Sequence, residues 1–276
     1  MKRLLSLVMM LSLCLSVAIA GKPLGKPQPP QRENLNVAGY ELWGDVESVV
    51  MTYYYPADNG EWVDTYSITY TFTENGDVAL AEFAEMDEIK TVDVYQYVGL
   101  EQSAEEEDYS YYEGDVNLNV VTFAEDGAVI TKEESGATFV AYYDEMGNAT
   151  KYMADYGDGN ELFTNITYLY DQDRILYEEH IDDNRELPTR KVYEYDKYAR
   201  PATVWQYYGD SLEYRFERIY DKRGNCVEFL MYNSAGGVTS RTVSKFDKQG
   251  NEIETIQYDG VEDKPSRRLT FEIVYR

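Results

Sequence analysis

The sequence predicts an all-β protein: an antiparallel meander of repeated β-hairpins, with a period of about 25 residues, forming one long twisted or curled sheet. Three observations predict it. Tyrosine dominates the aromatic residues, with 28 Tyr against 9 Phe and 3 Trp in 276 residues. Short stretches alternate apolar and polar residues. One polar turn recurs at nearly constant spacing.

The aromatic excess suits strands, because large rings pack well on a pleated, half-buried surface. The alternation is explicit in three places. Tyr66, Ile68, Tyr70 and Phe72 share one face of their stretch, and Thr65, Ser67, Thr69 and Thr71 share the other. Tyr214, Phe216, Arg218 and Tyr220 oppose Glu213, Arg215, Glu217 and Ile219. Leu269, Phe271, Ile273 and Tyr275 line up near the end of the chain. Strands of this kind bury one face and wet the other.

The recurring turn follows an aromatic residue. Tyr143, Tyr170, Tyr195, Tyr220 and Phe246 are each followed by Asp, at steps of 27, 25, 25 and 26 residues. Fainter copies stand at Phe72 and at Phe123–Gly127, and Phe271 falls one step after Phe246. Eight steps from Phe72 to Phe271 give 199 residues, or about 24.9 each. In the clearest copies Asp144, Asp221 and Asp247 accept hydrogen bonds from backbone N–H groups ahead of them. Gly147, Gly224 and Gly250 supply the positive φ that closes a bulged hairpin. Ala199 lacks that freedom, so its turn is expected to differ, and Asp173 suits the same region less well than glycine. Roughly 16 to 18 strands follow from this spacing.

The N-terminus reads as address and tether. Residues 1–20 combine Lys2 and Arg3, an apolar run and Ala18-Ile19-Ala20, which is a secretory signal peptide. Leu13 precedes Cys14 where a lipoprotein signal wants a small residue, so simple cleavage is favoured. Residues 21–36 hold Pro23, Pro27, Pro29 and Pro30 and read as an extended linker. Residues 37–276 are the repeat domain, irregular over 37–140 and regular over 141–276. The segment 101–115, rich in acids and tyrosine, breaks the period and reads as a long loop or insertion.

Charge and composition exclude several functions. The formal net charge of −26 repels phosphate backbones, so nucleic acid is not a partner. The one histidine, His180, excludes a histidine-rich metal site. No glycine-rich phosphate loop is present. With the signal removed, Cys226 stands alone, so no internal disulfide forms. It reads as a small apolar residue. Asp155, Asp158, Asn160 and Glu161, and again Asp182, Asp183 and Asn184, cluster without the spacing of a calcium loop, so neither a metal nor a cofactor is expected. Lys191, Arg218 and Arg241 interrupt one face of their strands, and Glu194, Glu217 and Lys245 the other. Neither face offers the apolar band of an outer-membrane barrel, and the mature chain has no membrane span.

At Tyr143–Asn148, Tyr220–Asn225 and Phe246–Asn251 the sequence resembles the YD-repeat (Rhs-like) family of exported bacterial proteins. The resemblance covers about 141–276. It implies hairpin repeats in a periplasmic, cell-surface or extracellular protein. Large members form β shells around a toxin domain, and no such domain follows here.

The expected function is a non-enzymatic binding or interaction module for a glycan or a surface protein. The candidate face is the row Tyr143, Tyr170, Tyr195, Tyr220 and Phe246, which equally reads as core packing with hydroxyls near the rim. A spacer without a ligand and a carboxylate-based hydrolase are the alternatives, and the oligomeric state stays open.

Overall fold

The computed structural model describes residues 40–85, 88–98, 112, 114–124, 128–133, 135–157, 161–172, 174–260 and 264–276. Residues 1–20, read above as a signal peptide, residues 21–36, read as a linker, most of the acidic segment 101–115, Gly127, Asp158, Asn160 and Asp173 lie outside them. The described residues contain seventeen strands and no helix. The first six are β1 (Val46–Pro56), β2 (Trp62–Phe72), β3 (Val78–Glu85), β4 (Glu88–Val98), β5 (Asp115–Phe123) and β6 (Val129–Glu133). Then come β7 (Thr138–Tyr143), β8 (Ala149–Asp155), β9 (Glu161–Asp171), β10 (Arg174–Asp182), β11 (Thr189–Tyr195) and β12 (Pro201–Tyr208). The last five are β13 (Ser211–Tyr220), β14 (Cys226–Asn233), β15 (Val238–Phe246), β16 (Glu252–Asp259) and β17 (Pro265–Tyr275).

The sheet is closed, which corrects the expectation of an open twisted or curled sheet. β1 pairs with both β2 and β17, so no edge remains. Closure satisfies the backbone groups that an open edge would expose to aggregation. A second correction concerns strand direction. Neighbours are antiparallel throughout, except that β4 and β5 run parallel, with Thr91 opposite Asp115 and Val98 opposite Thr122. An odd number of strictly alternating strands would leave β1 and β17 parallel. One parallel step restores their antiparallel pairing. β4 therefore ends at one end of the barrel and β5 begins at the other.

The Asp turns all lie at one end, here the turn end. Asp144 Oδ1 accepts from Met146 N at 2.9 Å and Asn148 N at 2.8 Å. Asp221 Oδ1 accepts from Arg223 N and Asn225 N at 2.8 and 2.9 Å. Asp247 Oδ1 accepts from Gly250 N and Asn251 N, both at 2.9 Å. Gly147, Gly224 and Gly250 have φ of 83°, 96° and 97°. Contrary to expectation, the Ala199 turn is built the same way. Ala199 takes φ 60°, and Asp196 Oδ1 accepts from Tyr198 N and Arg200 N. Arg200 offsets the strain, because its guanidinium binds Asp196 and lies 4.4 Å from the Tyr220 ring centroid.

The alternation settles which face turns inward. Val49, Phe72 and Val78 pack with Leu42 and Val46 into one cluster, and Val121 with Val129 into another. Ile175, Tyr193, Val204 and Phe216 form a third. Fully burying such side chains contributes about 1.5–3 kcal/mol each. Leu169, Val192, Ile219 and Val274 stand on the opposite, outer face and are exposed. Val92, Val94 and Val140 also alternate outward, yet they are buried.

Residues 40–45 strap the turn end. Asn251 accepts from Trp43 N at 2.6 Å through Oδ1 and donates to Trp43 O at 2.8 Å through Nδ2. The Tyr40 ring lies 4.4 Å from Tyr70 and 6.1 Å from Phe72 between centroids. Arg276 donates to Val46 O at 2.9 Å and pairs with Asp45. The two chain ends of the barrel are thus held together beside the strap.

Candidate lumenal site

The predicted tyrosine row lines the inner wall at the turn end, and the hydroxyls are engaged. Tyr195 donates to Ile175 O at 2.8 Å, and Tyr220 to Pro201 O at 2.6 Å. Tyr170 donates to the Asp144 carboxylate and accepts from Asn148 Nδ2 at 3.0 Å. Each of these tyrosines ties its repeat to the one before. Tyr143 packs with Val121 and Val129. Phe246 has no hydroxyl to use and shares the inward face with Ser244. Asp144, Asp221 and Asp247 are occupied in their turns, with Gly147, Gly224 and Gly250 beside them.

Further from the turns the inner wall becomes polar. On β10 and β11, Glu178 Oε1 lies 2.6 Å from Lys191 Nζ and 3.1 Å from His180 Nε2. Burial by itself would raise the Glu178 carboxyl. The hydrogen bond from His180 and the charge of Lys191 outweigh burial and hold it at about 2. Buried Tyr193 faces the same carboxylate.

A second polar set crosses β13 to β17 as one register row: Arg218, Phe229, Thr242, Gln257 and Arg267. All five are partly exposed although they face inward. A closed barrel of this strand number is wide enough to leave an aqueous channel. Arg267 donates to Gln257 Oε1 at 2.8 Å, and Gln257 Nε2 reaches Ser240 Oγ at 3.2 Å. The Arg218 guanidinium lies 5.4 Å from the Phe229 ring centroid. Arg218 Nη1 and Arg267 Nε are buried without a hydrogen-bond partner.

Beneath this row, Glu41 on the strap and Glu252 on β16 face one another near Arg218. Burial, then the neighbouring Glu252, pushes the Glu41 carboxyl up to about 8, and burial moves Glu252 the same way. Burial also raises the Cys226 thiol to about 11, so it is a poor nucleophile. Among the described residues no group of three His, Cys, Asp or Glu side chains is placed to hold a metal. Asp182 is instead bonded to Thr164 at 2.5 Å and paired with Arg185 at 3.4 Å.

The outer wall carries a feature that the sequence analysis missed. Arg190, Arg215, Arg241 and Arg268 recur at steps of 25, 26 and 27 residues, in phase with the turns. Arg215 lies 5.5 Å from the Trp205 centroid and 4.1 Å from that of Tyr232. Arg241 faces Tyr258 at 5.1 Å, and Arg268 faces Tyr54 at 5.3 Å. Each arginine also meets a carboxylate: Arg190–Glu179 at 2.7 Å, Arg215–Glu217 at 3.2 Å, Arg241–Glu228 at 2.6 Å and Arg268–Glu254 at 2.7 Å. The spacing of the arginines was the available signal. The structure also re-sorts the charges used above. Lys191 and Arg218 point inward. Arg241 points outward with Glu194, Glu217 and Lys245, because 241 and 245 have the same parity on β15.

No protein-family model and no curated protein matches this chain. Among solved structures, a porin-like protein from Bacteroides uniformis is similar over 83% of this chain and 96% of its own, at 11% identity and a TM-score of 0.50. That likeness shows the fold alone. TcdB2-TccC3 without its hypervariable C-terminal region matches 79% of this chain at 12% identity and a TM-score of 0.33. The present chain spans only 14% of that one.

Proposed function

We propose that the protein is an exported, non-catalytic binding module that takes a glycan into its lumen from the end opposite the turns. One observation carries the reading: the turn end is strapped and packed, whereas the inner wall above it presents partly exposed polar and aromatic side chains. Aromatic rings beside amide, hydroxyl and guanidinium groups are what a sugar requires, one face for stacking and edges for hydrogen bonds. The signal-peptide reading of residues 1–20 and the YD-like turns support an exported setting. The Arg–Glu pairs of the outer wall weigh against burial in lipid, where such charges are costly at mid-depth.

The test is a glycan-array screen of the purified protein, with and without calcium. Specific binding is expected, and it should vanish in Thr242→Trp, whose ring fills the lumen. Binding that survives this substitution would move the site to the outer wall. No binding to any glycan would remove the reading and favour a spacer.

A further inference from the structure

Among the described residues eight arginines pair with a carboxylate and three do not, and two of those three face the lumen. Arg174, Arg185, Arg190, Arg200, Arg215, Arg241, Arg268 and Arg276 each pair with a carboxylate. Arg223 donates to Asp247 O and Lys248 O. Arg218 and Arg267 face the lumen, and among the described residues neither has a carboxylate in ion-pair contact. Each keeps a buried guanidinium nitrogen without a partner; Arg215 on the outer wall has one too, but its guanidinium also pairs with Glu217. Acids outnumber bases 51 to 25 in this chain, so a shortage of carboxylates is not the cause. A cation taken out of water without a counter-charge is costly.

Their described neighbours are mostly rings and amides. Arg218 lies near Phe229, Tyr193, Tyr220, Cys226 and Glu41. With its carboxyl pushed up to about 8, Glu41 stays protonated at neutral pH. Arg267 faces Gln257, Tyr53 and Tyr66. The two arginines end one register row, four strand spacings apart, which is roughly 19 Å along the wall. Phe229, Thr242 and Gln257 lie between them and offer a ring, a hydroxyl and an amide.

We infer that the lumen binds an acidic oligosaccharide, with carboxylate or sulfate groups on Arg218 and Arg267 and the intervening sugar on Phe229, Thr242 and Gln257. This rests on the reading of the lumen as a glycan site. A small anion is too short to bridge the two guanidiniums. A chain that repeats its charges has both the length and the neutral stretch between.

Calorimetric titration tests it with three probes: an oligogalacturonate, its uncharged methyl ester, and a heparin-derived sulfated oligosaccharide. At least one acidic probe should bind. The methyl ester should bind at least tenfold more weakly if the oligogalacturonate is the binder. Arg218→Gln and Arg267→Gln should each weaken acidic binding at least tenfold, while Arg215→Gln on the outer wall leaves it unchanged. Without ligand, Arg218→Gln and Arg267→Gln should melt no lower than the wild type, which separates lost contacts from lost folding. Inorganic sulfate alone, binding as tightly as either oligosaccharide, would overturn the inference in favour of a simple anion site. Equal binding of ester and acid, untouched by the arginine substitutions, would overturn it and leave the glycan module standing. Failure of both acidic probes overturns it as well, and the array screen then decides whether the glycan reading falls too.

Discussion

The two walls of β13 to β17 are built from the same strands and treat charge in opposite ways. On the outer wall Arg215, Arg241 and Arg268 each lie against an aromatic ring and a glutamate. On the inner wall Arg218 and Arg267 have rings and amides, and neither makes an ion pair with a carboxylate among the described residues. Further round the inner wall, Glu178 is charged and held by two bases in a buried setting. The outer pairs sit in water, where an ion pair gains little and mainly keeps long side chains flat on the sheet. The inner charges line an enclosed wall, where Glu178 is buried and compensated by Lys191 and His180 while Arg218 and Arg267 are only partly exposed.

Four perturbations put that contrast to the test. The largest effect is expected for Lys191→Met, which leaves the Glu178 carboxylate short of its closest base. A loss of about 3–5 kcal/mol is expected, read from urea unfolding. A loss below about 1 kcal/mol would mean that the inner wall is as wet as the outer.

Asn251→Ala comes next. It removes both bonds to the Trp43 backbone and the one to the Tyr275 hydroxyl. Net contributions of roughly 0.5–1.5 kcal/mol per bond put the cost near 2–3 kcal/mol. Amide exchange at residues 40–45 should quicken by a larger factor than exchange in β9 or β10.

The pH dependence divides the inner acids. Glu178 titrates at about 2 in the folded protein, below an unfolded value of roughly 4.3. Its contribution is complete above the unfolded value and disappears as pH falls toward about 2. Glu41 has the opposite sign, with a folded value of about 8. The folded state holds that proton longer, so stability declines as pH rises from roughly 4.3 through about 8. Glu178→Gln should flatten the acid limb of a stability profile, and Glu41→Gln the alkaline limb. An unchanged alkaline limb in Glu41→Gln would show that this carboxyl is not buried in the lumen.

The smallest effect belongs to the outer wall. A double-mutant cycle on Arg241 and Glu228 should give a coupling of only about 0.2–1 kcal/mol, shrinking with added salt. A larger, salt-resistant coupling would erase the contrast between the walls.

Much of the local architecture was legible. Tyr66, Ile68, Tyr70 and Phe72 read as one face, and they do turn inward. Tyr214, Phe216, Arg218 and Tyr220 do the same. The Asp turns were legible because their hydrogen bonds are made within five residues. The lumenal row was not. Arg218 and Arg267 stand 49 residues apart and meet one row only through four successive register steps, each with a bulge. A bulge shifts register without leaving a residue type that marks it. The Ala199 turn was misjudged because its compensation comes partly from Tyr220, in the next hairpin.

By itself the sequence determined the strands, the turn chemistry, the period and the two faces, since these depend on neighbours a few residues apart. Tertiary structure decided the rest. Closure requires β1 to meet β17 across the whole chain, and that meeting reflects the twist and bend summed over sixteen steps. Seventeen strands then oblige one parallel pair, at β4 and β5. Only once the sheet is closed does one face become a lumen, and only the register across β13 to β17 brings Arg218 and Arg267 into one row on it.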